Sequence, residues 1–351
     1  MSLASYIRAM PKVELHVHLE GSIRPETLLM LAERNQVELP ARDLDSLRAW
    51  YQFRDFDHFL VIYKTLGKCL RTADDIELIA RQFLKGQAEQ NIRHSEVTYT
   101  AYSQYQANRI PFEDQLDAIN RARDWAAVEL GVTMGLIVDI SREIPAEEGM
   151  VTAEWAINGM GRGVAALGLG GPEIGNPPEK FKAAFERAFA AGLPAIPHAG
   201  ETVGPESIRG ALDTLHAVRI GHGVRCLEDS DLTAELRERQ IPLEVCPTSN
   251  ICLKVFPAIE AHPLPKLMAE GLFVTVNSDD PPMFSTTLNE EYLLLDSVFG
   301  LNAEMIEQLA LNAVRVSLLS EGEKRGLEDG FNAEFERLRK EHHINYLGDK
   351  S

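Results

Sequence analysis

The sequence predicts an α/β fold, a (β/α)8 barrel of the TIM type with a helical insertion after its first strand. Two observations carry this expectation. Eight short apolar stretches alternate with amphipathic helical patterns along the 351 residues. Strands separated by helices pair in parallel, and eight such units close into a barrel. Polar residues with acid–base or ligand chemistry fall at or just after the C-terminal ends of strands one, five, six and eight, the face on which such barrels build their sites. An open doubly wound sheet shares the periodicity but would not bring those four strand ends to one point.

Taken in order, strands are expected at Val13–Leu19, Ile92–Tyr99, Val132–Ile140, Val164–Gly170, Ala195–Ala199, Val218–Gly223, Leu243–Cys246 and Phe273–Asn277. Several are continuous apolar runs, as parallel strands buried on both faces should be. Residues 24–90 are too many for a simple crossover and read as several helices. Within them the aromatic run Phe53–Leu60 suits either a lid over the barrel mouth or a helix packed on the barrel. Helical patterns fill Pro178–Ala191, Pro205–Leu215 and Leu227–Arg239, and the Gly- and Pro-rich stretch Gly168–Pro178 suits a tight loop after strand four. After Glu321 the chain reads as a charged helix ending in a frayed polar tail. No internal repeat or interdomain linker interrupts it, so residues 1–351 are expected to form a single domain.

Composition narrows the function classes. A net charge of −18 and a pI near 5.0, with no dense run of Lys and Arg, argue against nucleic-acid and anionic-membrane partners. The expected partner is a small molecule, and oligomeric state is not legible. Cys69, Cys226, Cys246 and Cys252 show no Cys-x-x-Cys spacing, which points to a reducing compartment. No apolar run reaches the roughly 18 residues of a membrane span. A strand starting near Lys12 leaves no room for a signal peptide, so a cytoplasmic protein is expected.

Four short segments hold the chemistry: Leu15-His16-Val17-His18, His198-Ala199-Gly200-Glu201, Gly221-His222-Gly223 and Ser278-Asp279-Asp280. In a strand, residues i and i+2 share a face, so His16 and His18 can aim two imidazoles at one ion. His198 and Asp279 would complete a nitrogen-rich, oxygen-capped site of the kind zinc accepts. Glu201, His222 and Asp280 are then left as acid, base and anchor, the inventory of a hydrolase that activates water. Each segment has a plainer reading by itself: half-buried imidazoles, a glycine-flanked turn, or an Asp capping a helix before Pro281-Pro282. The joint pattern at one end of one barrel is what favours the site. His58, His94, His216, His262, His342 and His343 are expected to stay outside it, with His262 the nearest to an exception. Trp50, Trp125 and Trp155 read as packing residues.

The segments "PKVELHVHLEGS", "GLGGPE", "PHAGET", "RIGHGV", "EVCPTSN" and "VTVNSDDPPMF" resemble those of the adenosine deaminase family of the amidohydrolase superfamily. They run in the family's order from about Pro11 to Tyr292. The resemblance implies a barrel with one zinc ion that hydrolyses the 6-amino group of a purine nucleoside, releasing ammonia. By motif position, His16, His18, His198 and Asp279 match the metal ligands. Glu201 matches the proton donor to N1, and His222 the residue that orients and deprotonates the attacking water. Asp280 matches the carboxyl on N7, and Gly171 the backbone amide near N3. Strand four carries neither lysine nor carboxylate, which favours one metal over two. The cytidine-type deaminase pattern, His-x-Glu with Pro-Cys-x-x-Cys, is absent.

Glu20 stands where many members acting on adenosine have aspartate, which touches the sugar. Gly221 replaces the acidic residue typical of members acting on free adenine. Adenosine or deoxyadenosine is the expected substrate, with 6-amino-6-deoxyfutalosine, which carries an aryl group at the ribose 5′ end, as the alternative. A barrel that has lost its metal and only binds is the reading from a different class.

Overall fold

The computed structural model describes residues 2–344; the expected polar tail beyond the last helix extends outside them. Eight parallel strands follow one another in sheet order: β1 (Lys12–His18), β2 (Ile92–Tyr99), β3 (Thr133–Ser141), β4 (Val164–Gly170), β5 (Ala195–Ala199), β6 (Ile220–His222), β7 (Leu243–Val245) and β8 (Val274–Val276). Every predicted strand is present. The last three shrink to three residues each, since the chain leaves the ladder as soon as its functional residues begin.

The barrel closes between its ends. Asp279 N–H donates to His16 O (3.1 Å) and His18 N–H to Asp279 O (2.9 Å). The Asn277 side chain continues the seam, its Oδ1 accepting from Leu15 N–H (2.9 Å) and His16 N–H (3.2 Å). Outward residues such as Val13, Leu15 and Val17 pack in the apolar layer between strands and helices.

The lumen differs from the apolar filling usual in such barrels. A small cluster of Ile137, Ala166 and Ile196 is apolar. Elsewhere charged residues fill it. Arg219 bonds Glu244 (Nε to Oε1, 2.6 Å) and also Glu96, and the Arg219–Glu96 pair is equally buried. Glu14 Oε1 accepts from Ser278 N–H (3.1 Å), and its Oε2 from Gln87 (2.8 Å). Buried charges of this kind persist only when paired and hydrogen-bonded.

Before β1 lies α1 (Leu3–Ala9). The insertion after β1 forms α2 (Pro25–Arg34), α3 (Leu44–Trp50), α4 (Phe56–Lys68) and α5 (Ala73–Glu89). Asp43, Asp55 and Thr72 start the last three by accepting a backbone N–H three residues on. The pattern at Leu227–Arg239 becomes a helix only from Ser230. Asp229 caps it, accepting from Asp231 N–H (2.9 Å) and Leu232 N–H (3.0 Å). Among the described residues no helix is long and apolar enough to cross a membrane.

Candidate active site

The predicted ligand residues converge. His16 and His18 share the lumenal face of β1, with Nε2 atoms 3.6 and 3.3 Å from Asp279 Oδ1. His198 Nε2, from β5, lies 3.1 Å from His18 Nε2. Ligand atoms of all four buried residues lie within 4.8 Å of one another. Cys246 groups similarly with His222 and Asp279, and burial pushes its thiol well above the usual range.

This donor set fits a metal ion. His16 Nε2 is buried with no hydrogen-bond partner, while its Nδ1 is held by Glu244 Oε2 at 2.9 Å. His198 Nδ1 is held by Leu169 O at 3.0 Å. Fixing the far nitrogen in this way orients an imidazole whose near nitrogen is to bind metal. Ser249 Oγ donates to Asp279 Oδ2 (2.6 Å) and fixes the carboxylate.

The electrostatics agree. Burial opposes charge on His16, but Asp279 and Glu244 outweigh it and push the imidazole up to about 10. Burial is likewise outweighed at His18 by Asp280 and Asp279, which push it up to about 9. His198 is held well below its usual range by burial and those two imidazoles.

The remaining predicted residues face the same place. Glu201 is buried, and its Oε1 has no hydrogen-bond partner. Burial, reinforced by Asp279 and Glu173, pushes its carboxyl well above the usual range. His222 Nε2 lies 3.7 Å from Glu201 Oε1 and 3.9 Å from Asp279 Oδ2. His222 and Asp279 have φ values of 62° and 64°. That left-handed region is uncommon outside glycine.

Asp280 lines the cavity with its Oδ1 unpartnered. A Cβ at Gly21 would overlap that carboxyl, so glycine there makes its room. Glu20 follows β1 on a turn and not on the strand itself. It still reaches the cavity, accepting from Thr100 N–H (3.1 Å) and Tyr63 O–H (3.3 Å). Gly171, at φ 90°, also lines the cavity. The cavity measures about 610 Å³ and extends past Tyr63 and Phe59 of α4 to Gln106 and Glu148, well within the roughly 300–1,000 Å³ of ligand pockets.

Several contributing residues were invisible as such in the sequence. Glu173, in the loop after β4, accepts from the backbone N–H of Gly200 (3.2 Å), Glu201 (2.9 Å) and Val203 (3.3 Å) and so shapes the turn that carries Glu201. His262 stays outside the cavity as expected, yet it is tied to the site. Leu264 N–H donates to its Nδ1 (3.2 Å), and burial lowers its pKa to about 4, so the ring is neutral with its proton on Nε2. That proton faces Asn250 Oδ1 (3.1 Å). Asn250 Nδ2 must then donate to His222 Nδ1 (3.3 Å). A neutral His222 is therefore protonated on Nε2, toward Glu201 and Asp279. The motif "PTSN" held both Ser249 and Asn250, but nothing in its spacing showed which rings they meet.

The family profile described as adenosine deaminase matches residues 11–334. Adenine deaminase of Chlorobium phaeobacteroides is 39% identical over 320 residues, covering 91% of this chain and 95% of the relative. Aminodeoxyfutalosine deaminase of Streptomyces avermitilis is 40% identical over 321 residues, covering 90% and 89%. The crystal structure of an amidohydrolase from Burkholderia ambifaria with bound zinc superposes with a TM-score of 0.89 at 29% identity, covering 97% of this chain and 95% of that one.

Proposed function

The chain belongs to the adenosine deaminase family, whose members hydrolyse C–N bonds, and from that premise we propose a zinc-dependent deaminase of 6-aminopurine nucleosides. Adenosine and deoxyadenosine are the proposed substrates, with the inosine nucleoside and ammonia as products. The observation that carries the reading is the buried, unpartnered Glu201 beside a four-ligand site inside a nucleoside-sized cavity.

His16, His18, His198 and Asp279 would hold a single ion. Zinc so bound makes hydroxide available near neutral pH. Adding oxygen to C6 breaks ring aromaticity, which needs N1 to gain a proton as the bond forms, and Glu201 is the acid placed to give it. His222, with its proton on Nε2, orients the attacking oxygen as a hydrogen-bond donor and in this tautomer does not take its proton, which departs from the base role expected from the sequence. Asp280 takes N7 and the Gly171 amide takes N3, which turns C6 toward the ligands. Glu20 reads the sugar. In this reading α2–α5 form a helical lid within a single domain spanning residues 1–351, and the enzyme works in the cytoplasm.

A specific observation favours a second reading, 6-amino-6-deoxyfutalosine. The cavity extends outward along α4, beyond Glu20 and Tyr63, with room for a bulky 5′ substituent, and a relative at 40% identity bears that activity's name. A spectrophotometric screen of adenosine, deoxyadenosine, adenine and aminodeoxyfutalosine for kcat/KM, together with zinc analysis and chelation, tests both. Full activity after complete chelation would overturn the metal-dependent mechanism. Action on adenine alone would overturn the nucleoside reading.

A further inference from the structure

Three carboxyl oxygens in the cavity are buried without a hydrogen-bond partner among the described residues: Glu201 Oε1, Asp280 Oδ1 and Asp139 Oδ1. The proposed reaction uses the first two and leaves Asp139 idle. Burying a polar group unpaired is unfavourable, so such a group in a cavity calls for a partner that arrives with the ligand.

The surroundings of Asp139 are built for it. It sits on the lumenal face of β3, two residues above Ile137, and is 3% exposed. Across the ladder β4 offers only glycine. A Cβ at Gly168 would lie 2.7 Å from Asp139 Oδ1, and one at Gly170 would lie 2.7 Å from Oδ2. Two side chains are thus missing from β4 where this carboxyl rests. Its charge is felt by His18 and Glu20, which places it in the cavity region that Glu20 also faces. Burial pushes it up to about 7, with Glu20 adding to the effect and His18 opposing it.

We propose that Asp139 is a substrate-binding residue that holds a ring hydroxyl, 2′ or 3′, of the sugar attached to the purine. The proposal rests on the nucleoside reading above. In that reading the Gly171 amide meets N3, the purine edge beside the glycosidic bond. Gly171 directly follows Gly170, on which the Asp139 carboxyl rests, so the ring hydroxyls pass on the side of β3 and β4. Glu20, reached from the end of β1, takes the 5′ side. Two carboxyls facing a shared space repel each other when it is empty, and a sugar bearing several hydroxyls gives each a partner.

The test is kcat and KM for adenosine, 2′-deoxyadenosine, 3′-deoxyadenosine and 5′-deoxyadenosine on zinc-loaded wild type, Asp139→Ala and Asp139→Asn. Zinc stoichiometry and melting temperature are recorded for each protein. The expected result for Asp139→Ala is a loss of about 10- to 100-fold in kcat/KM, carried mainly by KM, for adenosine and 5′-deoxyadenosine. Either the 2′- or the 3′-deoxy substrate should be almost indifferent. Asp139→Asn should show a smaller loss with the same pattern, and it decides the matter alone should the alanine variant not fold. Losses equal on all four nucleosides would overturn the proposal, and so would zinc loss that accounts for the fall. A wild type acting on nucleosides while Asp139 shows uniform losses removes this inference alone; a wild type acting only on adenine removes the nucleoside reading with it.

Discussion

Glu244 Oε2 lies 2.9 Å from His16 Nδ1, and its other oxygen lies 2.6 Å from Arg219 Nε. One carboxylate thus joins a predicted metal ligand to the charged network of the lumen. Glu244→Gln keeps the shape and removes the charge. Metal affinity should fall about 10–100-fold, the usual cost of losing such support. Competition with a chromophoric chelator measures it, and unchanged affinity would show that the contact tunes nothing.

The chain from His262 through Asn250 to His222 makes a second prediction. In Asn250→Asp the new carboxylate still accepts from His262, but it now requires a proton from His222 Nδ1. His222 would then turn a bare Nε2 toward the attacking oxygen. A histidine held in the wrong tautomer is costly, so kcat should fall by on the order of 100-fold or more with KM little changed. Nitrogen-15 shifts of the His222 ring report the tautomer directly. A variant with wild-type kcat and a switched ring would remove the chain from the mechanism.

Glu201→Gln should retain zinc and bind substrate nearly as before while kcat drops by about 10²–10⁴-fold. The amide fills the same space but delivers no proton, and a contact needed only in the transition state appears in kcat and not in KM. Steady-state kinetics with zinc analysis decide; turnover within a few-fold of wild type excludes Glu201 as the acid.

Glu20→Ala should weaken adenosine by about 1–3 kcal/mol, the range for a hydrogen bond to a charged group, and leave 5′-deoxyadenosine almost untouched. Comparing kcat/KM for both substrates on both proteins closes the cycle. Equal losses would mean that Glu20 serves its contacts with Thr100 and Tyr63 and not the sugar.

Arg219 is fully buried between Glu96 and Glu244. Arg219→Met should destabilise the protein by about 3–5 kcal/mol, because two carboxylates lose their cation. Burial would raise Glu96, but Arg219 outweighs it and holds the carboxyl down at about 2. A folded-state pKa below the unfolded one contributes stability above about pH 4.5 that is lost as pH falls toward 2. Urea unfolding at a series of pH values, with chelator present throughout, should show this acid-sensitive component in wild type and its absence in the variant.

The parts legible in the sequence are those that depend on local period. His16 and His18 share a face because strands alternate, and all eight strands stand where apolar runs marked them, even the three-residue Ile220–His222. What stayed hidden depends on closure. Glu96, Arg219 and Glu244 lie far apart in sequence with no spacing that links them, and only the closed barrel pairs them, as it brings Glu14 to Ser278. Glu173 looks like a loop carboxylate until the loop after β4 is seen folded under the backbone of Glu201. The Asn250–His262 bond links residues whose spacing carries no period at all.

The seam between β1 and β8 bears on how the protein is made. His16 and His18 are synthesised before Asp279, which bonds their backbone across the seam and emerges only after all eight strands have been made. A growing chain that stops short of Asp279 has imidazoles but no carboxylate to complete their ligand set. The same residue joins the ends of the sheet and finishes the proposed ion site. Newly made protein can therefore complete the proposed ion site only when its barrel can shut.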